Sequence, residues 1–122
     1  MKILVVDDDE FSGDMIAAVL ADNGYETVSV DGGLAALDVV AGDPCLAAVV
    51  SDMNMPVMSG LDLFGALRED GCDLPFILLS GTDPDTLRRR EPLLAHCIAK
   101  DGDLEVNLPQ TLARALAAHA RP

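Results

Sequence analysis

The sequence predicts one α/β domain built on a doubly wound parallel sheet, and three observations carry that expectation. Short apolar, β-favouring segments recur near 3–6, 27–30, 46–51, 75–79 and 97–99. Stretches with helical apolar spacing fill the gaps, which is the pattern of a βα repeat. At 122 residues the chain fits a single domain, 1–122, long enough to bury a core without staples.

Taken in order, Ile3-Leu4-Val5-Val6 forms the first strand and runs into Asp7-Asp8. Met15, Ile16, Val19 and Leu20 give the first helix its apolar stripe. After the second strand, Leu34, Leu37 and Val40 do the same for the second helix. Ala47-Ala48-Val49-Val50-Ser51 ends on Asp52. Ser59 with Asp62 then fits a capping box ahead of a helix marked by Leu61, Phe64 and Leu67. Phe76-Ile77-Leu78-Leu79 ends on Ser80. Thr82 with Asp85 fits a second capping box, Pro84 falls in the first turn where its missing N–H costs nothing, and Pro92 keeps that helix short. Cys97-Ile98-Ala99 is read as a buried strand ending on Lys100. Pro109 suggests that the last helix starts near Asn107 or Leu108. Leu108, Leu112 and Leu116 then step by four to an end near Ala120.

Charge and composition exclude several classes. The formal net charge is −13, from 21 acids against 8 bases, so a phosphate backbone would be repelled and direct nucleic-acid binding is not expected. No apolar run approaches the ~20 residues of a membrane helix, so no membrane role is expected. Lys2 alone precedes an apolar run that meets four acids at Asp7 to Glu10, which is not the pattern of a secretory leader. Cys45, Cys72 and Cys97 have no metal-type spacing and are odd in number; they read as reduced thiols of a cytoplasmic protein. Arg88-Arg89-Arg90 is the one basic cluster, either a solvated helix face or a contact patch for an acidic partner.

In a parallel sheet the strand ends open on one edge, where open α/β folds bind their ligands. Asp7, Asp8, Asp52, Ser80 and Lys100 would meet there. Clustered carboxylates repel one another unless a proton or cation is present. Oxygen ligands of this kind select a hard cation such as Mg²⁺, with Mn²⁺ also suitable. Asp9 reads only as a helix cap. The string Ser51-Asp52-Met53-Asn54-Met55-Pro56-Val57-Met58-Ser59-Gly60 is the most specific in the chain. As an ordinary turn it would leave the apolar Met55 and Met58 unexplained.

The chain resembles the receiver domain of two-component response regulators from residue 2 to about 120. The likeness lies in the acidic pair after the first strand, the D-x-x-M-P-x-M-x-G string after the third, the hydroxyl after the fourth and the lysine after the fifth. It implies a flavodoxin-like receiver fold with strand order 2-1-3-4-5 and five flanking helices. It implies a two-component signalling function, in which Asp52 accepts a phosphoryl group from a sensor histidine kinase or a histidine phosphotransfer protein. The phosphorylated domain then changes conformation towards a downstream protein partner. Asp8, Asp52 and the carbonyl of Asn54 match direct Mg²⁺ ligands, and Asp7 matches one acting through water. Ser80 matches the hydroxyl that bonds the phosphoryl group, Lys100 the ammonium that pairs with it, and Asn54 and Thr82 the positions that tune hydrolysis. Such a domain is a phosphoacceptor with at most slow self-dephosphorylation, rather than an enzyme.

Two positions depart from the family pattern. Cys97 stands where a Tyr or Phe is usual, and no aromatic follows Phe76. Asp101 stands where proline usually follows the lysine; a trans bond is expected there, and Asp101 could compete for Lys100. Two rival readings remain open. One is a receiver-like binding module that is not phosphorylated. The other is a haloacid-dehalogenase-like phosphatase using Asp7 of its apolar strand and D-x-D start, which leaves Asp52 and its string unused.

Overall fold

Strands in which every residue is apolar need cover on both faces, and helices supply it here. The computed structural model describes residues 1–81 and 83–120. In chain order the elements are β1 (Lys2–Val6), α1 (Glu10–Asp22), β2 (Glu26–Val30), α2 (Gly33–Gly42), β3 (Leu46–Asp52), α3 (Gly60–Glu69), β4 (Phe76–Ser80), α4 (Pro84–Arg90), β5 (His96–Ala99) and α5 (Leu104–Ala120). All strand pairs are parallel and the order is β2-β1-β3-β4-β5, as the resemblance implies.

Side chains alternate across each strand and divide the core in two. Leu4, Val6, Val49, Phe76 and Leu78 face α2, α3 and α4, whose Ala36, Leu63, Phe64, Leu67 and Leu87 complete that layer. Ile3, Val5, Ala48, Val50, Ile77 and Leu79 face the opposite way, against Ile16 and Leu20 of α1 and Leu104, Leu108 and Leu112 of α5. The chain winds one way from β1 to β2 and the other way from β3 onwards. The crevice between the C-terminal ends of β1 and β3 is therefore the switch point of the sheet.

Some expected stripes are displaced. In α1 the buried residues are Ser12, Gly13, Ile16 and Leu20, while Met15 is exposed. In α2, Gly33 and Ala36 are buried and Leu34 is exposed. Small residues take buried positions in both helices, beside Ile16 and Leu20 in α1, and Met15 and Leu34 turn outwards. β5 closes one edge of the sheet, so Cys97, expected in a buried strand, is half-buried. The capping box of Ser59 and Asp62 forms both of its hydrogen bonds, at 3.1 and 3.2 Å. Asp83 caps α4, with Pro84 in the first turn; Thr82 lies outside the described residues.

α5 starts at Leu104, earlier than Pro109 suggests, and Pro109 sits inside the helix. Leu104, Leu108 and Leu112 are buried at spacings of four on both sides of the proline. Their packing against the sheet outweighs the one helical hydrogen bond that proline cannot donate. Asp101 helps to start the helix: its side chain accepts from the Asp103 N–H at 2.9 Å and its carbonyl from the Leu104 N–H at 3.2 Å. It therefore shapes the turn and does not compete for Lys100. No peptide bond among the described residues is cis.

The loop from β3 to α3 is packed rather than free. Gly60 donates its N–H to the Met53 carbonyl at 2.9 Å. A Cβ there would fall 2.5 Å from the Asp52 carbonyl oxygen and 3.1 Å from the Met53 Cα. Only glycine lets α3 begin this close to the end of β3. Met58 lies over Gly33 at the start of α2, and Met55 packs against the α2–α3–α4 layer. That accounts for both methionines. Between them Val57 is 91% exposed at φ 71°, a left-handed conformation that β-branched residues rarely adopt. Gly60→Ala is expected to destabilise the domain by about 1–3 kcal/mol, because backbone atoms must move to admit the methyl. A lowered urea midpoint with an unchanged m-value checks this, and an unchanged midpoint would refute the close approach.

Candidate functional site

Each polar residue of the site stands where an apolar strand runs out. The Asp7 N–H bonds the Val30 carbonyl at 3.2 Å, the Met53 N–H the Leu79 carbonyl at 2.9 Å, and the Lys100 N–H the Ser80 carbonyl at 2.9 Å. The parallel ladder thus carries β1, β3 and β5 one residue beyond their last residues, Val6, Asp52 and Ala99. Asp7, Asp52, Ser80 and Lys100 then stand along one sheet edge.

The three carboxylates meet closely. One oxygen each from Asp7, Asp8 and Asp52 lies within 4.8 Å of the others. Asp7 and Asp52 are buried and Asp8 is exposed. Lys100 reaches in from the end of β5 and donates to Asp7 Oδ2 at 3.1 Å and to Asp52 Oδ1 at 3.3 Å. Asp7 Oδ1 accepts from the Asp9 N–H at 3.0 Å, which orients that carboxylate. Asp9 itself caps α1, accepting from the N–H groups of Phe11 and Ser12. Gly13 of α1 lies beside Asp7, and a Cβ there would meet the Asp7 Cβ at an ordinary 3.5 Å.

Three carboxylates face one ammonium, and burial and charge both shift the protonation equilibria. Burial pushes the Asp52 pKa above the ordinary carboxylate value; Lys100 opposes this, while Asp7 and Asp8 add to it. Burial alone would lower the Lys100 pKa, but its hydrogen bond to Asp7 and the charges of Asp52 and Asp7 more than reverse that, and the net shift is upward. The Asp52 shift comes chiefly from burial, and the Lys100 shift from the carboxylates gathered around it. A cation that replaces a proton there relieves the repulsion among the three carboxylates. The donor set is all oxygen, with no histidine or cysteine in the cluster, which fits a hard divalent ion.

The fold brings together the side chains of Asp7, Asp8, Asp52 and Lys100, and Ser80 stands at the neighbouring strand end. Asn54, expected to contribute its carbonyl, is exposed in the loop just past Asp52. Ser80 is fully buried at the end of β4. Thr82 lies outside the described residues. Sequence reasoning missed Met58 over Gly33 and the Asp101 turn; the sole prior signal was an apolar residue in a loop and an acid two residues ahead of another.

Comparison with known proteins agrees with this geometry. The family model described as response regulator receiver domain matches residues 3–108. The response regulator MprA of Mycobacterium avium is 40% identical over 83 residues, covering 68% of this chain and 36% of that protein. This chain thus spans about a third of the length of the curated relatives it matches. The signal receiver domain of a signal transduction histidine kinase from Syntrophus aciditrophicus is 29% identical, with a TM-score of 0.86 over 99% of this chain and 93% of that one. The response regulator TrrA of Thermotoga maritima, solved in complex with Mg²⁺–BeF, is 25% identical, with a TM-score of 0.81 over 93% of this chain and 97% of that one. Neither the phosphatase nor the unphosphorylated-module reading gains support from these likenesses. From fold, strand-end chemistry and family match together, this chain belongs to the receiver domains of two-component response regulators.

Proposed function

We propose that residues 1–122 act as one receiver unit in which Asp52 takes a phosphoryl group from a phosphohistidine of a sensor kinase or phosphotransfer protein. The observation that carries this reading is the placement of Asp52 at the sheet switch point, between two further acids and one ammonium. Lys100 engages Oδ1, and no hydrogen bond to Oδ2 is formed among the described residues. An oxygen of the Asp52 carboxylate attacks phosphorus: an O–P bond forms, the N–P bond breaks, and the imidazole leaves with the electron pair. Lys100 stays beside the acyl phosphate and balances its charge, and Ser80 offers a hydroxyl to a phosphoryl oxygen. The proposed donors act in the cytoplasm, consistent with the three free cysteines of this chain.

Asp8 and Asp52, with the Asn54 carbonyl, would hold Mg²⁺ or Mn²⁺, and Asp7 would act through a bridging water. When bound, the ion neutralises charge on the carboxylate and phosphoryl oxygens. The family's movable parts are reduced here, since Cys97 replaces a ring. The readout then lies in Ser80, the Gly81-Thr82-Asp83 turn and α4 with Arg88-Arg89-Arg90.

Three outcomes are expected. With a small-molecule phosphodonor and Mg²⁺, mass spectrometry should locate one added phosphoryl group on Asp52. Asp52→Asn should abolish the label and Cys97→Ala should keep it; equal labelling of Asp52→Asn would refute the assignment. Mg²⁺ at tenfold its Kd should stabilise the protein by about 1.4 kcal/mol, roughly 4–8 °C in Tm. Asp8→Ala should remove most of that rise without lowering the Tm of the metal-free protein, whereas tight Zn²⁺ binding that survives Asp8→Ala would refute the site. Amide exchange with a beryllofluoride mimic should change across 80–92; changes confined to 52–60 would place the readout on another face.

A further inference from the structure

The loop from β3 to α3 turns on a residue whose own side chain does not hold it. Val57 is 91% exposed and sits at φ 71°. The Met58 N–H donates to the Pro56 carbonyl at 2.7 Å, across that one residue. A hydrogen bond of this span with a positive φ at its centre makes a γ-turn of the rare, strained form. A β-branched residue is a poor choice for it, because the branched Cβ crowds the backbone. Such a conformation persists only where its surroundings over-determine it.

The restraints lie on either side of the turn. Before it, the Met53 N–H is tied to the Leu79 carbonyl at 2.9 Å, and Met55 packs against the α2–α3–α4 layer. After it, the Gly60 N–H returns to the Met53 carbonyl at 2.9 Å, at the capped start of α3. From another helix, the tip is reached by Met58 against Gly33, the first residue of α2. A Cβ on Gly33 would fall 2.5 Å from Met58 Sδ, 2.9 Å from its Cγ and 3.0 Å from its Cβ. The root of the side chain lies against the helix as well as its flexible end, so turning the thioether away would not clear the space. Met58 thus joins the strained turn to α2. Asn54 lies in the same loop, two residues before Pro56.

We infer that Met58, seated on Gly33, is a positioning residue for the metal site: it holds the strained turn closed and keeps the Asn54 carbonyl available to the ion. The inference rests on the metal site proposed above. Without the seat, Val57 relaxes to a negative φ and the loop takes other conformations. Only the fraction still turned at Val57 then offers the full ligand set. Strain and anchor oppose each other, and the anchor sets how much of the protein is ready for the ion.

The test is a Mg²⁺ titration of the full chain followed by amide shifts, with amide exchange measured on the metal-free protein. Met58→Ala and Gly33→Ala are each expected to weaken Mg²⁺ binding about tenfold and to speed exchange of the Met58 amide. Met58→Leu refills the seat and keeps the parent Kd. Val57→Gly accepts a positive φ without strain, and should restore most of the affinity lost in Met58→Ala. A contact serving stability alone would lower the Tm of Met58→Ala and leave its Kd at the parent value. An unchanged Kd in both Met58→Ala and Gly33→Ala, a loss that Val57→Gly does not relieve, or rapid exchange of the Met58 amide in the parent would overturn the proposal. The last of these needs no variant, so a misfolded variant does not remove the test. Asp8→Ala, titrated in parallel, separates the two readings. Mg²⁺ binding that survives Asp8→Ala, or is absent from the parent, refutes the metal site and this role with it. Binding lost in Asp8→Ala but intact in Met58→Ala refutes the role of Met58 alone.

Discussion

Burial of the sheet on both faces is the constraint from which the rest follows. β1, β3 and β4 are apolar along almost their whole length because α1 and α5 cover one side and α2, α3 and α4 the other. A charged residue within such a strand would lie in a low-dielectric interior without water. The strand ends are where the chain can place acids and a lysine. Since every strand runs the same way, those ends share one edge. The site is thus a consequence of the topology, and its position at the β1–β3 crevice comes from the reversal of winding there.

Electrostatics then makes the edge reactive. Asp7 and Asp52 are buried beside Lys100, and Asp8 adds a third carboxylate from the exposed side. One ammonium faces three carboxylates, and burial, the leading cause, holds the Asp52 pKa up. Backbone contacts hold the Asp52 main chain, and Lys100 engages its carboxylate. Gly60 brings α3 against the Asp52 carbonyl, and Ser59 and Asp62 cap the helix that follows. A carboxylate on such a frame keeps its orientation when its charge is relieved.

The two departures from the family pattern have separate physical outcomes. At Asp101 an acid takes over the helix start, forming a turn that carries α5 from Leu104 straight through Pro109. At Cys97 the effect is a space, bordered by Arg88 and Arg114, on the half-buried edge strand. The first leaves the acid site intact, with Lys100 on Asp7 and Asp52. The second leaves a space on the edge strand between α4 and α5.

The sequence by itself determined the strands, the residues on which they end and the family, because those depend on local apolar runs and on a string with few alternative explanations. The βα alternation placed Asp7, Asp8, Asp52, Ser80 and Lys100 on one edge before any coordinates. What only the tertiary structure decided were the choices made by packing between distant segments. Met15 and Leu34 turned outwards while Ser12, Gly13, Gly33 and Ala36 took buried positions. Pro109 stayed inside α5 because Leu104 and Leu108 are both buried against the strands. Met58 found its partner in Gly33, 25 residues away by number. The pairing of Lys100 with both Asp7 and Asp52, like the cleft between Arg88 and Arg114, depends on side chains from separate elements converging. Local propensity carries no record of those distances, because they are set by how the layers stack.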